Sequence, residues 1–330
     1  MTVLKYIGIE KIMGYKVVSD DGSTFETEPK KINVITGCNG SLKTAFLEAL
    51  VVSMDMMTNW GRDVYKRWLI ASMLRGDTAW VYGLADGLEM TVNGYRVRSV
   101  DADDLARMGF RVRAQGVVLY KDGRPVAVRF RSATTNYSRV WDRSHVFENF
   151  SYIVLHMPEF ISEEFVKMLT SVADFGTAIR IIREVLGFEA VYSRIDELNR
   201  FTLYVYKNGT EVPIHRLGRG MTNLLLLALA SSTDVVIVED VESSLHPQMM
   251  PKAVEIMYGS GSQWFVTTYS SDFLKHVLLE RPDDVMVYRF EKKNEVLTIS
   301  QFDGEQARKI FTDGSEDLRG NCYGHDGLSI

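Results

Sequence analysis

The sequence predicts an α/β protein: a mixed core sheet flanked by helices, with an antiparallel β-subdomain set into it. Three observations predict this. The apolar run from Ile32 to Ile35 ends in a glycine loop that leads straight into helix-forming sequence from Lys43. The run from Val235 to Val238 is continuously apolar, as in strands buried on both faces, and ends in Glu239-Asp240. Between them, Asn93-Gly94 and Lys121-Asp122-Gly123 punctuate short β-rich runs, which is hairpin sequence.

Taken in order, residues 3–9 and 15–18 read as two strands, with Asp20-Asp21-Gly22-Ser23 as a turn, and residues 4–35 form a small antiparallel ribbon feeding the glycine loop. Helical spacing covers 44–57, and a second helix is expected at 62–75. The inserted β-subdomain spans 86–131, with strands at 89–92, 95–100, 110–113, 117–120 and 126–130. Further strands follow at 151–156, 190–195, 201–206, 233–238, 263–268, 285–290 and 295–302. Helices are expected at 161–171, 174–187 and 222–230, and the tail from 314 to 330 is expected to be loosely ordered. The whole chain, 1–330, reads as one domain.

A length of 330 residues gives ample chain for a buried core. A hydrophobic content of 46% with 25% charged residues is ordinary for a globular protein. The net charge of −5 gives no global attraction to nucleic acid or an anionic membrane. No apolar run approaches the ~20 residues of a membrane span, and no signal-peptide pattern opens the chain, so a cytoplasmic protein is expected. Two cysteines, Cys38 and Cys322, do not imply a disulfide framework. Arginines and aromatics interleave over 91–143, among them Arg96, Arg98, Arg129, Tyr95 and Trp141. That composition marks a candidate nucleic-acid surface, although on strands it more often makes a solvated face over a packed one.

The chemistry concentrates in two places. In Gly37-Cys38-Asn39-Gly40-Ser41-Leu42-Lys43-Thr44, the glycines allow successive N–H groups to turn inward around an anion. The helix that follows adds the positive end of its dipole. Lys43 then neutralises outer phosphates and the Thr44 hydroxyl holds Mg²⁺. The spacing is that of G-x-x-x-x-G-K-[ST], except that Leu42 stands at the second glycine. At the second place, Glu239 and Asp240 end a core strand: Glu239 is the metal-holding carboxylate, and Asp240 orients or deprotonates the attacking water.

Four motifs in order resemble the ABC-type ATPase heads of the SMC/RecF/OLD group: Gly37–Thr44, Leu217-Gly218-Arg219-Gly220-Met221, Val235–Asp240 with Leu245-His246-Pro247, and Thr267–Asp272. The resemblance covers almost the whole chain. It implies a compact head: no heptads for a coiled-coil arm lie between the first two motifs, and the stretch after the last is too short for an appended nuclease domain. It further implies ATP and Mg²⁺ as cofactors and an ATP-dependent homodimer in which Gly218, Arg219 and Gly220 of one subunit close over ATP on another, while this chain's departures from the group's motifs point to slow hydrolysis. Roles in DNA repair, genome maintenance or defence follow from the resemblance, with an effector or nuclease on a separate chain. Tyr269 stands where the group has its switch histidine, and the order Glu239-Asp240 reverses the usual pair. Gly218 stands at the signature serine of transporters, and Gln115 is the candidate for the Q-loop glutamine.

Overall fold

The computed structural model describes residues 3–57, 87–112, 114–131, 136–142, 150–154, 175–195 and 201–320. The expected helices at 62–75 and 161–171 lie outside these residues. In chain order, β1 (Ile7–Ile12), β2 (Tyr15–Val18) and β3 (Phe25–Thr27) precede β4 (Ile32–Gly37) and α1 (Lys43–Met57). Then come β5 (Glu89–Val92), β6 (Tyr95–Val100), α2 (Ala102–Arg107), β7 (Gly116–Lys121), β8 (Arg124–Arg131) and β9 (Asn136–Val140). β10 (Phe150–Val154) and α3 (Phe175–Ile181) lead to β11 (Ala190–Ile195), β12 (Phe201–Lys207) and β13 (Thr210–Pro213). The last part holds α4 (Arg219–Ala230), β14 (Val235–Glu239), α5 (Met250–Gly259), β15 (Gln263–Thr267), α6 (Ser271–Glu280), β16 (Val285–Lys293), β17 (Val296–Asp303) and α7 (Gly304–Asp313).

One long sheet dominates, in the order β10-β14-β15-β4-β16-β17-β2-β1-β5-β6-β7-β8-β9, with β3 also on β1. From β10 to β16 the neighbours are parallel. From β1 through β5 to β9 they are antiparallel. Side chains of the parallel strands alternate between two cores. Val236, Val238, Trp264 and Val266 pack under α4, α5 and α6, while Val235, Ile237 and Phe265 pack under α1. Helices therefore cover both faces, which is why these strands are apolar at nearly every position.

Several expectations change here. The antiparallel strands are not a separate sheet: β5 pairs with β1, and the ladder continues past 131 to β9. β4 is not part of the N-terminal ribbon; it lies between β15 and β16. Phe110–Val112 is not a strand. The chain there instead follows α2, opened by Asp101, whose carboxylate accepts from the Asp104 N–H. The ring of Phe110 packs edge-on to Phe130, so its apolarity serves the core under the sheet. The expected 174–187 helix changes at Ile182 to a π-turn, Ile182–Leu186, ended by left-handed Gly187. Residues 314–320 are held down: Leu318 is 2% exposed and its carbonyl accepts from Thr36 Oγ1 at 2.6 Å. Residues 321–330 lie outside the described set.

Candidate nucleotide site

Parallel pairing of β14, β15 and β4 brings their carboxyl ends to one edge of the sheet, with Val238 beside Val266 and Thr267 beside Ile35. In open α/β sheets that edge is where loops are free to form a site. The glycine loop leaves β4 there. Gly37 has φ 135°, and a Cβ on it would stand 2.4 Å from the Phe290 carbonyl oxygen and 2.8 Å from Ser41 Oγ. Only glycine fits that turn. Asn39 and Gly40 form the exposed crest, while Ser41 is buried.

Lys43, the first residue of α1, is only 5% exposed. Its Nζ donates to the carbonyl oxygens of Gly37 and Cys38, each at 2.8 Å. Burial pushes its ammonium down to about 8, against the opposing pull of Asp240, Glu242 and Glu239. Leu42 carries φ 68°. The departure from the usual loop pattern therefore falls at a backbone angle that leucine strains to adopt.

Thr44 Oγ1 donates to Glu239 Oε1 at 2.5 Å, across 195 residues of sequence. Glu239, at the end of β14, is 5% exposed. Asp240 follows with φ 52°; its N–H donates to Thr267 Oγ1 at 2.8 Å, and that hydroxyl donates back to Asp240 Oδ1 at 3.4 Å. The two carboxylates are thus separated by a backbone reversal. One turns in toward Thr44, and the other is pinned to the end of β15.

Tyr269 belongs to this group and is not core, being 39% exposed. Its ring centroid lies 4.2 Å from Lys43 Nζ, a cation–π contact. Burial, then the charges of Asp240, Glu242 and Glu239, push its hydroxyl up to about 12. The backbone N–H of Tyr269 donates to Glu242 Oε1 at 2.6 Å. Burial raises the Glu242 carboxyl above the ordinary glutamate value, with the Tyr269 N–H opposing. Glu242 is a contributor that motif reading missed, and Thr267, which opens the last motif, had no role assigned to it. The available signal was an acid in the short polar loop Glu242-Ser243-Ser244 between Val241 and Leu245.

The signature loop joins the site through the loop after β14. Gly218 has φ 79° and precedes α4. Gly220 lies against that loop: a Cβ there would stand 2.9 Å from Ser244 O and 3.1 Å from Met249 Sδ. Asn223 Nδ2 donates to Ser243 O at 2.8 Å. The small size of Gly220 therefore has a use within this chain, apart from any approach to a phosphate on a second subunit. His246 is structural, as its Nδ1 accepts from the Gln248 N–H where the next helix opens. Gln115 is exposed ahead of β7.

Cys38 departs from expectation: it is disulfide-bonded. The chain has one other cysteine, Cys322, outside the described residues. The segment carrying Leu318 and Gly320 lies beside it, since a Cβ on Gly320 would be 3.8 Å from Cys38 Sγ.

The residues present suit a magnesium–nucleotide. The loop offers a glycine turn with no room for a side chain, a buried ammonium and a helix start. Thr44 and Glu239 are hard oxygen donors, and Mg²⁺ in phosphate sites takes one or two protein oxygens and completes its shell with phosphate and water. No group of three or more His, Cys, Asp or Glu able to hold a metal occurs among the described residues.

Solved structures resemble this chain in fold. An SMC head bound to the C-terminal winged-helix domain of ScpA superposes with a TM-score of 0.54 at 12% identity, covering 92% of this chain and 99% of that one. The fold is that of an SMC head. The SMC head domain of Thermotoga maritima gives 0.44 at 13% identity, covering 90% of this chain and 97% of its own. The recombination mediator RecF gives 0.44 at 12%, covering 91% and 98%. Residues 126–271 match the family described as "AAA domain, putative AbiEii toxin, Type IV TA system". That match begins after the glycine loop of the head, so the loop's assignment rests on its own spacing and geometry. No curated protein matches the chain. No helix among the described residues of the head is long and apolar enough to cross a membrane.

Proposed function

We propose that this head binds ATP with Mg²⁺, hydrolyses it slowly, and dimerises when ATP is bound. One observation carries the reading: Thr44 of the glycine loop and Glu239 of β14 meet directly, while Lys43 and Tyr269 face each other beside them. Lys43 binds the outer phosphates. Thr44 and Glu239 hold the Mg²⁺, which would supply charge neutralisation on the phosphates. Asp240 accepts the proton of the attacking water, and Tyr269 takes the place of the switch histidine near the outermost phosphate.

Dimerisation follows from the signature loop. Gly218, Arg219 and Gly220 begin a helix whose positive end suits a phosphate held by a second copy. ATP that binds the dimer more tightly than the monomer drives association by mass action. A role in DNA repair, genome maintenance or defence, an effector or nuclease on another chain, and a cytoplasmic location are carried over from the resemblance. Direct nucleic-acid binding by the arginine-rich strands is disfavoured by their pairing: Arg96 reaches Glu10 and Glu89, Arg98 reaches Asp104, and Arg129 reaches Asp55.

Calorimetry with ATP and Mg²⁺ tests the reading. Wild type binds, and Lys43→Ala binds at least about 100-fold more weakly, because a buried charge-assisted contact is lost. Equal affinity in the two proteins overturns it. Light scattering with and without ATP tests the dimer, and an unchanged mass removes that part. Wild type that binds ATP but releases no phosphate is a nucleotide-dependent scaffold.

A further inference from the structure

Glu242 has no part in the chemistry above, yet it is the carboxylate that holds the switch loop. Either side of Tyr269 the chain is already fixed. Thr268 is fully buried at the end of β15. Ser270 caps α6: its Oγ accepts from Phe273 N at 3.2 Å, and its own N–H donates to Thr268 Oγ1 at 3.0 Å. The remaining freedom is the tilt of the peptide between Thr268 and Tyr269, and Glu242 Oε1 accepts that peptide's N–H at 2.6 Å. Glu242 itself sits on a braced loop, where Ser243 N donates to Asp240 O at 2.8 Å and Leu245 N to Glu242 O at 2.9 Å. The Tyr269 ring that results stands over Lys43 Nζ, an ammonium with two hydrogens already committed to carbonyls.

We propose that Glu242 is a positioning residue of the phosphate site: by fixing the backbone of Tyr269 it sets the ring over the Lys43 ammonium. The ring then controls how an anion or reagent reaches Lys43. The proposal rests on the reading of Lys43 as the phosphate ligand, and its test separates the two.

The full chain is acetylated briefly, and the labelling of Lys43 is measured by mass spectrometry relative to exposed Lys275. Glu242→Ala and Tyr269→Ala each raise Lys43 labelling about fivefold, within the roughly 2- to 30-fold range of such a cation–π contact. The double variant labels no faster than either single one, because both changes act through one ring. Glu242→Gln keeps an acceptor for the N–H, and Tyr269→Phe keeps the ring, so both stay near wild type. Lys31, held by Tyr258 O and Ser260 O, stays at its wild-type rate in every variant, which excludes general loosening. The proposal is overturned if Glu242→Ala leaves Lys43 within about twofold of wild type while Tyr269→Ala exposes it, or if the two effects multiply. Calorimetry on the same proteins tests ATP binding separately: wild type that fails to bind ATP removes the phosphate reading but leaves the labelling result standing.

Discussion

The parallel and antiparallel halves of the long sheet use their strands differently. β14 is buried at all five positions and β4 at all six, whereas β6 alternates, with Tyr95 and Val97 inside and Arg96 and Arg98 outside. Parallel strands cannot be joined by tight turns, so each ends in a loop that crosses to another layer. Those loops leave the carboxyl edge free for Lys43, Glu239, Asp240 and Tyr269. Antiparallel strands spend their ends on hairpins, where Asn93 and Asp122 take left-handed angles of 48° and 50°. The difference teaches why arginines are plentiful in one half while the converging chemistry lies in the other.

The largest test is at Asp240. Asparagine tolerates the left-handed backbone found there, so Asp240→Asn keeps the loop and removes only the proton acceptor. ATP affinity should hold while phosphate release falls by about 10²- to 10⁴-fold. Glu239→Gln should instead mainly weaken Mg²⁺ binding. If Glu239→Gln abolishes turnover with Mg²⁺ affinity intact, the two carboxylates have exchanged roles.

Core truncations on the two sides come next. Phe265 is fully buried between β14 and β4, and Phe265→Ala should cost about 3–5 kcal/mol. Leu105 belongs to the small cluster with Val100, Val118, Val128 and Phe130, and Leu105→Ala should fall near the low end of the range, about 2 kcal/mol. Denaturant melts decide whether the halves are one unit. A single transition lowered by both variants means one cooperative sheet, and a separate early transition in Leu105→Ala means the antiparallel half unfolds alone.

A smaller effect distinguishes two lysines. Burial lowers Lys43 to about 8, whereas Lys121, in the antiparallel half, is raised by its hydrogen bond with Tyr95. A lowered base loses its proton as pH rises through that value. At pH 9 about a tenth of Lys43 stays charged, so ATP affinity should be about tenfold weaker at pH 9 than at pH 7. Calorimetry across that interval checks it, and a flat profile means that the Lys43 charge does not set affinity.

How much was legible beforehand follows from the same contrast. Val235–Val238 and Ile32–Ile35 read directly as buried strands, and Asn93-Gly94 read as a hairpin, because each signal is local. The direct meeting of Thr44 with Glu239 was legible only through motif order. Three things were not legible. The ring of Tyr269 over Lys43 spans 226 residues and depends on a backbone hydrogen bond from Glu242. The apolar residues after Asp101 read as strand because their burial comes from packing under β7 and β8. The bonded state of Cys38 is a tertiary feature, which two cysteines alone do not reveal.

The smallest prediction concerns the one residue of the glycine loop that breaks its pattern. Leu42 holds φ 68° beside the buried Lys43, while its side chain packs partly against the core under α1. Two effects oppose each other on substitution. Glycine at this angle relieves about 1 kcal/mol of backbone strain but gives up the packing. Alanine gives up nearly the same packing and keeps the strain. The difference between Leu42→Gly and Leu42→Ala therefore isolates the backbone term: Leu42→Gly should be the more stable by about 1 kcal/mol in denaturant melts. Leu42→Gly should also bind ATP more tightly than wild type, because the loop's N–H groups can then close around phosphate without a branched side chain beside them. If Leu42→Ala is as stable as Leu42→Gly, the strain is not felt, and Leu42 is kept for packing alone.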